Sequence, residues 1–349
     1  MNAKKGIIYA NFVKPEALGS LATTTIAYAV SQGITFDEIA QAIDISELDY
    51  ANQDARLPDP VVGELMSMLV EKLPARAISM EIAHCAPFSM LGGLVQGAMF
   101  ATNFESALTW FVENSSIIAD QAVVHLETID SEVALVVAHP SEAIDQGHTL
   151  EATTGLIWRL LNTITVPGAP LQAAEFAYQK SVPLHSYEEF FQAPVLFHTG
   201  RNALIFSTDI LGLPIRSSNA QMFEFIKQHF ANLRQKLNED RYPPALLPLR
   251  RSIMDNAAHG KYEVTAAAAA ANLSLRTAQR LANQHGTSIQ QLIDDTRLVN
   301  AKTFLNNTEI TIETVAQLVG YADVRAFRRA FKRWTGMSPK EYRNKIFKE

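Results

Sequence analysis

Five cations stand within nine residues near the C-terminus, Arg325, Arg328, Arg329, Lys332 and Arg333, with no acid among them. At 3.6 residues per helical turn, Arg325, Arg329 and Arg333 line one edge and Arg328 and Lys332 lie beside it. Like charges at this spacing repel by roughly a few tenths of a kcal/mol per pair. Solvated helix faces usually alternate in sign, so a polyanionic partner explains this face better than stability does. A second face has related chemistry. Arg276, Thr277, Gln279, Arg280 and Asn283 occupy outward positions of a predicted helix, with Leu281 turned inward. Arginine pairs two-pronged with guanine O6 and N7, and glutamine or asparagine with adenine N6 and N7.

No other set of residues makes a reactive site. His84 and Cys85 are neighbours, so on a helix or strand they point to different faces and form no nucleophile–base pair. Cys85, the single cysteine, excludes an internal disulfide or a Cys-x-x-Cys pair and is read as a buried, inert thiol. The nine histidines show no His-Glu-x-x-His or other short ligand spacing. His139 and His148, flanking an acidic loop, are read as ordinary surface histidines. Gly92, Gly93 and Gly97 lack the dinucleotide-binding spacing and read as points of close helix packing. The expectation is no enzyme, no cofactor and no metal.

Local signals place both cationic faces on helices. Ala266–Ala271 is a run of the best helix former, with Thr265 as a cap and Asn272 suited to the left-handed turn that ends it. Ser274 then caps a helix from Leu275 to His285, and Gly286 stops it. The pattern returns about fifty residues later. Thr311 precedes Ile312–Val319, Gly320 and Tyr321 make a turn, and Asp323 caps a helix to Trp334 that Gly336 stops. Pro339 opens a last helix. Leu298, Phe304, Leu305, Val315, Leu318, Phe327, Phe331 and Trp334 form the expected core of this half. Helix, tight turn, helix, twice over, is the helix-turn-helix arrangement, expected at about 265–286 and 311–335.

The length of 349 residues implies at least two domains. The overall charge of −6 hides a split. Residues 250–349 carry 16 basic and 9 acidic residues, a net +7, whereas the preceding 249 carry 14 and 27, a net −13. A basic module joined to an acidic one is the footprint of a nucleic-acid binder with a separate non-binding domain. Prolines 243, 244 and 248 mark residues 238–249 as an extended linker. Before it, 217–237 reads as a helix with Phe223, Ile226, Phe230, Leu233 and Leu237 at spacings of three and four. That stripe is a candidate homodimer seam, or equally a face packed on its own domain, because Met222 and Phe225 widen it.

Residues 1–216 mix both periods and read as α+β. Helices are expected at 61–73, 104–119 and 149–163. Hairpins are expected at Ala122–Thr128 with Glu132–Ala138, and at Val195–Thr199 with Ala203–Ser207 around Gly200-Arg201-Asn202. This is no βαβ series, so no Rossmann crevice is expected. No stretch reaches the ~18 apolar residues of a membrane span, and the start is too short and polar for a signal peptide. The cytoplasm is the expected compartment.

From Arg297 onward the chain reads R-L-x2-A-x3-L, I-x2-V-A-x3-G-Y and F-x3-F-K-x3-G-x-S-P-x2-Y-R, through Leu298, Ala301, Leu305, Ile312, Val315, Ala316, Gly320, Tyr321, Phe327, Phe331, Lys332, Gly336, Ser338, Pro339, Tyr342 and Arg343. This closely resembles the AraC/XylS family of bacterial transcription regulators, and Ser274–Leu281 resembles the family's first recognition helix. The resemblance implies an all-α DNA-binding domain whose two recognition helices enter successive major grooves on one face of double-stranded promoter DNA. It implies base-reading positions at Arg276, Gln279 and Arg280 in the first helix and at Val324, Arg325, Arg328 and Arg329 in the second. Lys332 and Arg333 are expected on phosphates. The six-alanine run departs from the family's more varied helix, and Val324 stands where relatives are often polar, able to touch only a thymine methyl.

Pro87–Gly92, Ser106–Phe111 and Val195–Phe206 resemble the arabinose-binding-type sensing domain of one AraC subfamily. A small effector is therefore expected on the N-terminal domain, with an activator's role and RNA polymerase as partner. The strands Val123–Leu126, Val133–Val137 and Leu204–Phe206 can wall an apolar cavity, and Trp110, Trp158, Arg159, His84 and His125 are the kinds of groups that orient a ligand. The alternatives are an N-terminal domain that only oligomerises or that is catalytic.

Overall fold

A computed structural model describes residues 15–43, 55–74, 76–179, 183–240, 243–305 and 310–347. Two compact units divide within one helix, Ala220–Asp240, at Asn232 and Leu233.

In the first unit a five-stranded sheet is built from β1 (Val123–Ile129), β2 (Glu132–Ala138), β3 (Ala173–Phe176), β4 (Val195–Phe197) and β5 (Ala203–Ser207), in the order β1-β2-β5-β3-β4. The first expected hairpin forms, with Asp130 taking the positive φ of 53° that its turn needs. The second does not. β3 pairs antiparallel with β5 and parallel with β4, and so separates the two strands expected to be partners. The crossover from β3 to β4 carries the helix Leu184–Phe191, a single βαβ unit in an otherwise antiparallel sheet. Turn residues between two apolar runs indicate a reversal of direction, but not whether a third strand lies between.

Register puts Val124, Val133, Leu135, Val137, Leu204, Phe206, Ala174 and Phe176 on one sheet face. All of them are buried. The helices α1 (Phe104–Ile118) and α2 (His148–Ile164) pack on the sheet, and α3 (Ile78–Cys85) packs on α2. The opposite face carries a small cluster of Ala134, Val136, Ala203 and Ile205. Beside it Arg201 bridges Glu127 and Glu175, and His125 meets Glu127 at 3.1 Å.

The apolar stripe of Ala220–Asp240 is largely used within its own unit. Phe223, Ile226 and Phe230 are buried, with Phe223 and Phe230 packed 5.8 and 4.8 Å from the Trp110 ring. These three therefore do not form an open seam for a second copy, and the large apolar side chains that this helix leaves exposed, among the described residues, are Met222 and Phe225. Leu233 and Leu237 are half-buried. The helix continues to Asp240, a 3₁₀ turn follows at Pro244–Leu246, and α4 (Leu247–Ala258) begins with Pro248 in its first turn. Helix thus occupies much of the expected extended linker, because proline is tolerated where the first helical N–H groups need no partner.

Trp110 also explains Gly97. Its Nε1 donates to the Leu94 carbonyl at 2.9 Å, and a Cβ on Gly97 would lie 2.0 Å from the ring. Gly97→Ala should lower stability by about 1–3 kcal/mol through overpacking. A denaturation midpoint equal to wild type would show that the ring can yield.

The second unit contains α5 (Val264–Ala270), α6 (Leu275–Gln284), α7 (Ile289–Leu305), α8 (Ile312–Leu318), α9 (Val324–Thr335) and α10 (Pro339–Phe347). It has two cores. One gathers Leu249, Ile253, Ala267, Ala268, Ala278, Ala282 and Leu292, and the other Leu305, Val315, Val319, Phe327, Phe331 and Trp334. The alanine run serves the first as small packing surface. Ser252 donates to Ala267 O at 2.8 Å where the helices approach. The N-cap of α5 is Glu263, with Thr265 inside the helix rather than capping it. Leu318, expected in the second core, is 41% exposed; Val319, one residue on as α8 ends, is 0% exposed. Among the described residues no helix is long and apolar enough to cross a membrane.

Candidate DNA interface

Short-range chemistry fixes both cationic helices. Ser274 Oγ accepts from the Thr277 amide at 3.1 Å, and Asp323 accepts from the Arg325 and Ala326 amides at 3.0 and 3.2 Å. These hydrogen bonds, from Arg325 first, hold the exposed Asp323 carboxyl below its ordinary range. The cap is therefore present at neutral pH and is lost as pH falls through that lowered value. Asn272 and Gly320 take positive φ of 57° and 78° in the two turns, and Gly336 ends α9 at 82°. Each cap is followed two and six residues later by arginine: Arg276 and Arg280 after Ser274, Arg325 and Arg329 after Asp323.

Arg276, Gln279, Arg280, Asn283, Arg325, Arg328, Arg329, Lys332 and Arg333 are all exposed. Ala278 and Ala282 hold α6 on its core, as Phe327, Ala330, Phe331 and Trp334 hold α9. Each cationic face is thus the outer side of an anchored helix. Thr277 is half-buried and its hydroxyl meets Ser274 Oγ at 2.8 Å. Val324 is half-buried against the second core. Arg328 meets Glu313 at 3.1 Å with both side chains open to solvent, and the exposed Arg333 meets the largely buried Asp294 at 3.3 Å. A pair exposed on both sides, as Arg328–Glu313 is, is worth about 0–1 kcal/mol, little against a phosphate. Among the described residues, Arg276, Arg280, Arg325 and Arg329 are in no ion pair.

The linkage between the two helix-turn-helix units was not legible as such. Arg297, on α7, lies between Tyr262 and Tyr321, its guanidinium 4.9 and 4.7 Å from the ring centres. Its Nε donates to Val319 O at 3.1 Å, and Asn300 donates to the Tyr262 hydroxyl at 3.1 Å. The Tyr262 ring also abuts Gly320, where an added Cβ would come within 2.3 Å. One side chain from the connecting helix thus ties the turn of the second helix-turn-helix to the first helix-turn-helix. Arg297 opens the motif R-L-x2-A, but nothing local points to Tyr262.

The remaining candidates are dispersed through the first unit. Cys85 is exposed rather than buried, at the end of α3. His84 is exposed beside it. His139 and His148 are partly buried, meeting Asp59 at 3.0 Å and Ser79 at 2.9 Å, so they are not simple surface histidines. Arg159 donates to the His84 and Ala86 carbonyls. No cluster of three metal-ligating side chains occurs among the described residues.

Residues 33–215, just over half of the chain, match the family described as the arabinose-binding domain of AraC transcription regulator, N-terminal. The chain belongs to the AraC family of transcription regulators. Residues 267–345 match a helix-turn-helix domain, which contains both cationic helices of this AraC-family chain. The ornithine utilization regulator of Pseudomonas aeruginosa is 30% identical over 179 residues, 50% of this chain and 52% of that protein. The arabinose operon regulatory protein of Escherichia coli is 30% identical over 132 residues, 37% of this chain and 45% of that protein. The chain thus spans about half the length of the curated relatives it matches. The crystal structure of the transcriptional regulator CdpR from Pseudomonas aeruginosa aligns over 97% of this chain and 100% of that one, at 16% identity and a TM-score of 0.44.

Proposed function

We propose that this protein binds double-stranded promoter DNA in a sequence-specific way, with α6 and α9 in successive major grooves, and activates transcription together with RNA polymerase. The observation that carries this reading is the repeated geometry of the two helices. Each is capped, anchored by one face and free on the other, with arginines at matching places after its cap. The base-reading set is Arg276, Gln279 and Arg280 on α6, and Arg325, Arg328 and Arg329 on α9, with Val324 limited to a thymine methyl. Lys332 and Arg333 bind phosphate. The arabinose-binding-type domain holds a small effector that modulates this activity, by binding one of two states more tightly than the other.

Selection of genomic fragments by the full chain at ~150 mM salt tests the first part. We expect recovered sites to contain two contacted segments about one duplex turn apart, and affinity to fall steeply with salt as counterions are released. Recovery of fragments no better bound than random DNA would refute it. Footprints confined to one groove would refute the two-groove reading.

A further inference from the structure

Glu151, Thr154 and Trp158 fall three and four residues apart on α2 and therefore share one face. All three are buried. Glu151 Oε1 accepts from the Tyr187 hydroxyl at 3.0 Å. The basic group beside Oε2 is His148, whose Nδ1 is 3.6 Å away and is already engaged by Ser79 Oγ at 2.9 Å. Among the described residues this buried carboxyl thus has one hydrogen-bond donor, the Tyr187 hydroxyl, and one basic neighbour, the His148 ring. On the same helix face Thr154 Oγ1 and Trp158 Nε1, and farther along the chain the Tyr178 hydroxyl, are buried without a hydrogen-bond partner among the described residues. The Tyr178 ring lies against Gly147, where a Cβ would come within 2.0 Å. Phe176 connects these groups, 5.7 Å from Tyr178 and 5.9 Å from Phe191, which in turn is 5.7 Å from Trp158.

Buried polar groups are ordinarily paired, and a buried carboxylate calls for a cation. The indole N–H can only donate, so it calls for an acceptor. Burial, and then the nearby carboxylates, push the Tyr178 phenol well above its ordinary range and keep it protonated, with lone pairs still able to accept. The two unmet needs lie at opposite ends of one face. Glu151 and Trp158 are about 10 Å apart along the helix axis, with Thr154 between them.

We infer that this face binds a small zwitterion with its charges at opposite ends of a short apolar stem, an ω-amino acid or a basic amino acid. The ammonium sits between Glu151 and Tyr178, the carboxylate accepts from Thr154 and Trp158, and the stem lies on the Phe176 and Phe191 rings. This rests on the effector reading above and gives that effector a chemical class.

Calorimetric titration of the full chain with δ-aminovalerate, L-lysine, valerate, pentylamine and L-arabinose tests it. At least one of the two zwitterions should bind about tenfold or more tightly than valerate or pentylamine. Tyr178→Phe and Trp158→Phe should each weaken that binding by about tenfold or more, while the unliganded melting temperature holds or rises, since each removes an orphaned polar group and keeps a ring. A purely structural role for the two groups would lower the melting temperature. Binding by neither zwitterion, or binding indifferent to both variants, overturns the inference. L-arabinose or valerate bound equally by wild type and both variants would overturn this site and leave the effector reading standing. That reading fails separately if no metabolite in a broad screen binds and deleting the first unit leaves promoter regulation unchanged.

Discussion

Replacing Arg280 or Arg329 with alanine should weaken binding to the preferred DNA by about 1–3 kcal/mol each, and should flatten discrimination at the base pairs they face. Both stand six residues after a cap, both are exposed, and neither is in an ion pair among the described residues. No ion pair among the described residues is lost in the free protein, so the change reads out chiefly contact with DNA. Lys332→Ala and Arg333→Ala should weaken binding more evenly across sequences and reduce the salt slope by about one each. Arg333 should show the smaller effect, because its pairing with Asp294 at 3.3 Å competes with phosphate. Competition gel-shifts on specific and random duplexes at two salt concentrations check this. Equal losses on both duplexes for Arg280→Ala and Arg329→Ala would assign those two to the backbone instead.

Phe331→Ala should cost about 3–5 kcal/mol, the usual range for emptying a fully buried aromatic site. Its ring is 0% exposed, 5.7 Å from Phe327 and edge-on to Tyr342 at 5.3 Å. Because the two helix-turn-helix units have separate cores, the loss should concentrate in one of them. Hydrogen exchange should show the amides of Val324–Thr335 losing protection while those of Leu275–Gln284 keep theirs. Equal deprotection of both helices would mean that the Arg297 linkage makes the pair a single cooperative unit.

The cationic helices were legible because everything that makes them lies within a few residues. Ser274 and Asp323 cap by bonding amides two or three positions on, and Asn272, Gly320 and Gly336 turn the chain through their own φ. Helical period alone separates Arg325 and Arg329 from Phe327 and Phe331. Effects at that range need no knowledge of the rest of the chain. Thr265 shows the limit of even local reading: it was the expected cap, but the helix starts before it, with Glu263 at the N-cap.

What covers an apolar face was decided only in three dimensions. Period marked Phe223, Ile226 and Phe230 as one stripe, but only the tertiary structure showed Trp110, more than a hundred positions earlier in the chain, filling the space against it. The strand Ala173–Phe176 entering between Val195–Phe197 and Ala203–Ser207 is a non-local pairing that no turn signal encodes. The same holds for Tyr262 and Tyr321 closing on Arg297, and for the partner-poor polar face of Glu151, Thr154 and Trp158. A sequence states which side of an element is apolar or charged. The partner of that side is set by packing summed over distant segments, and hence by the tertiary structure.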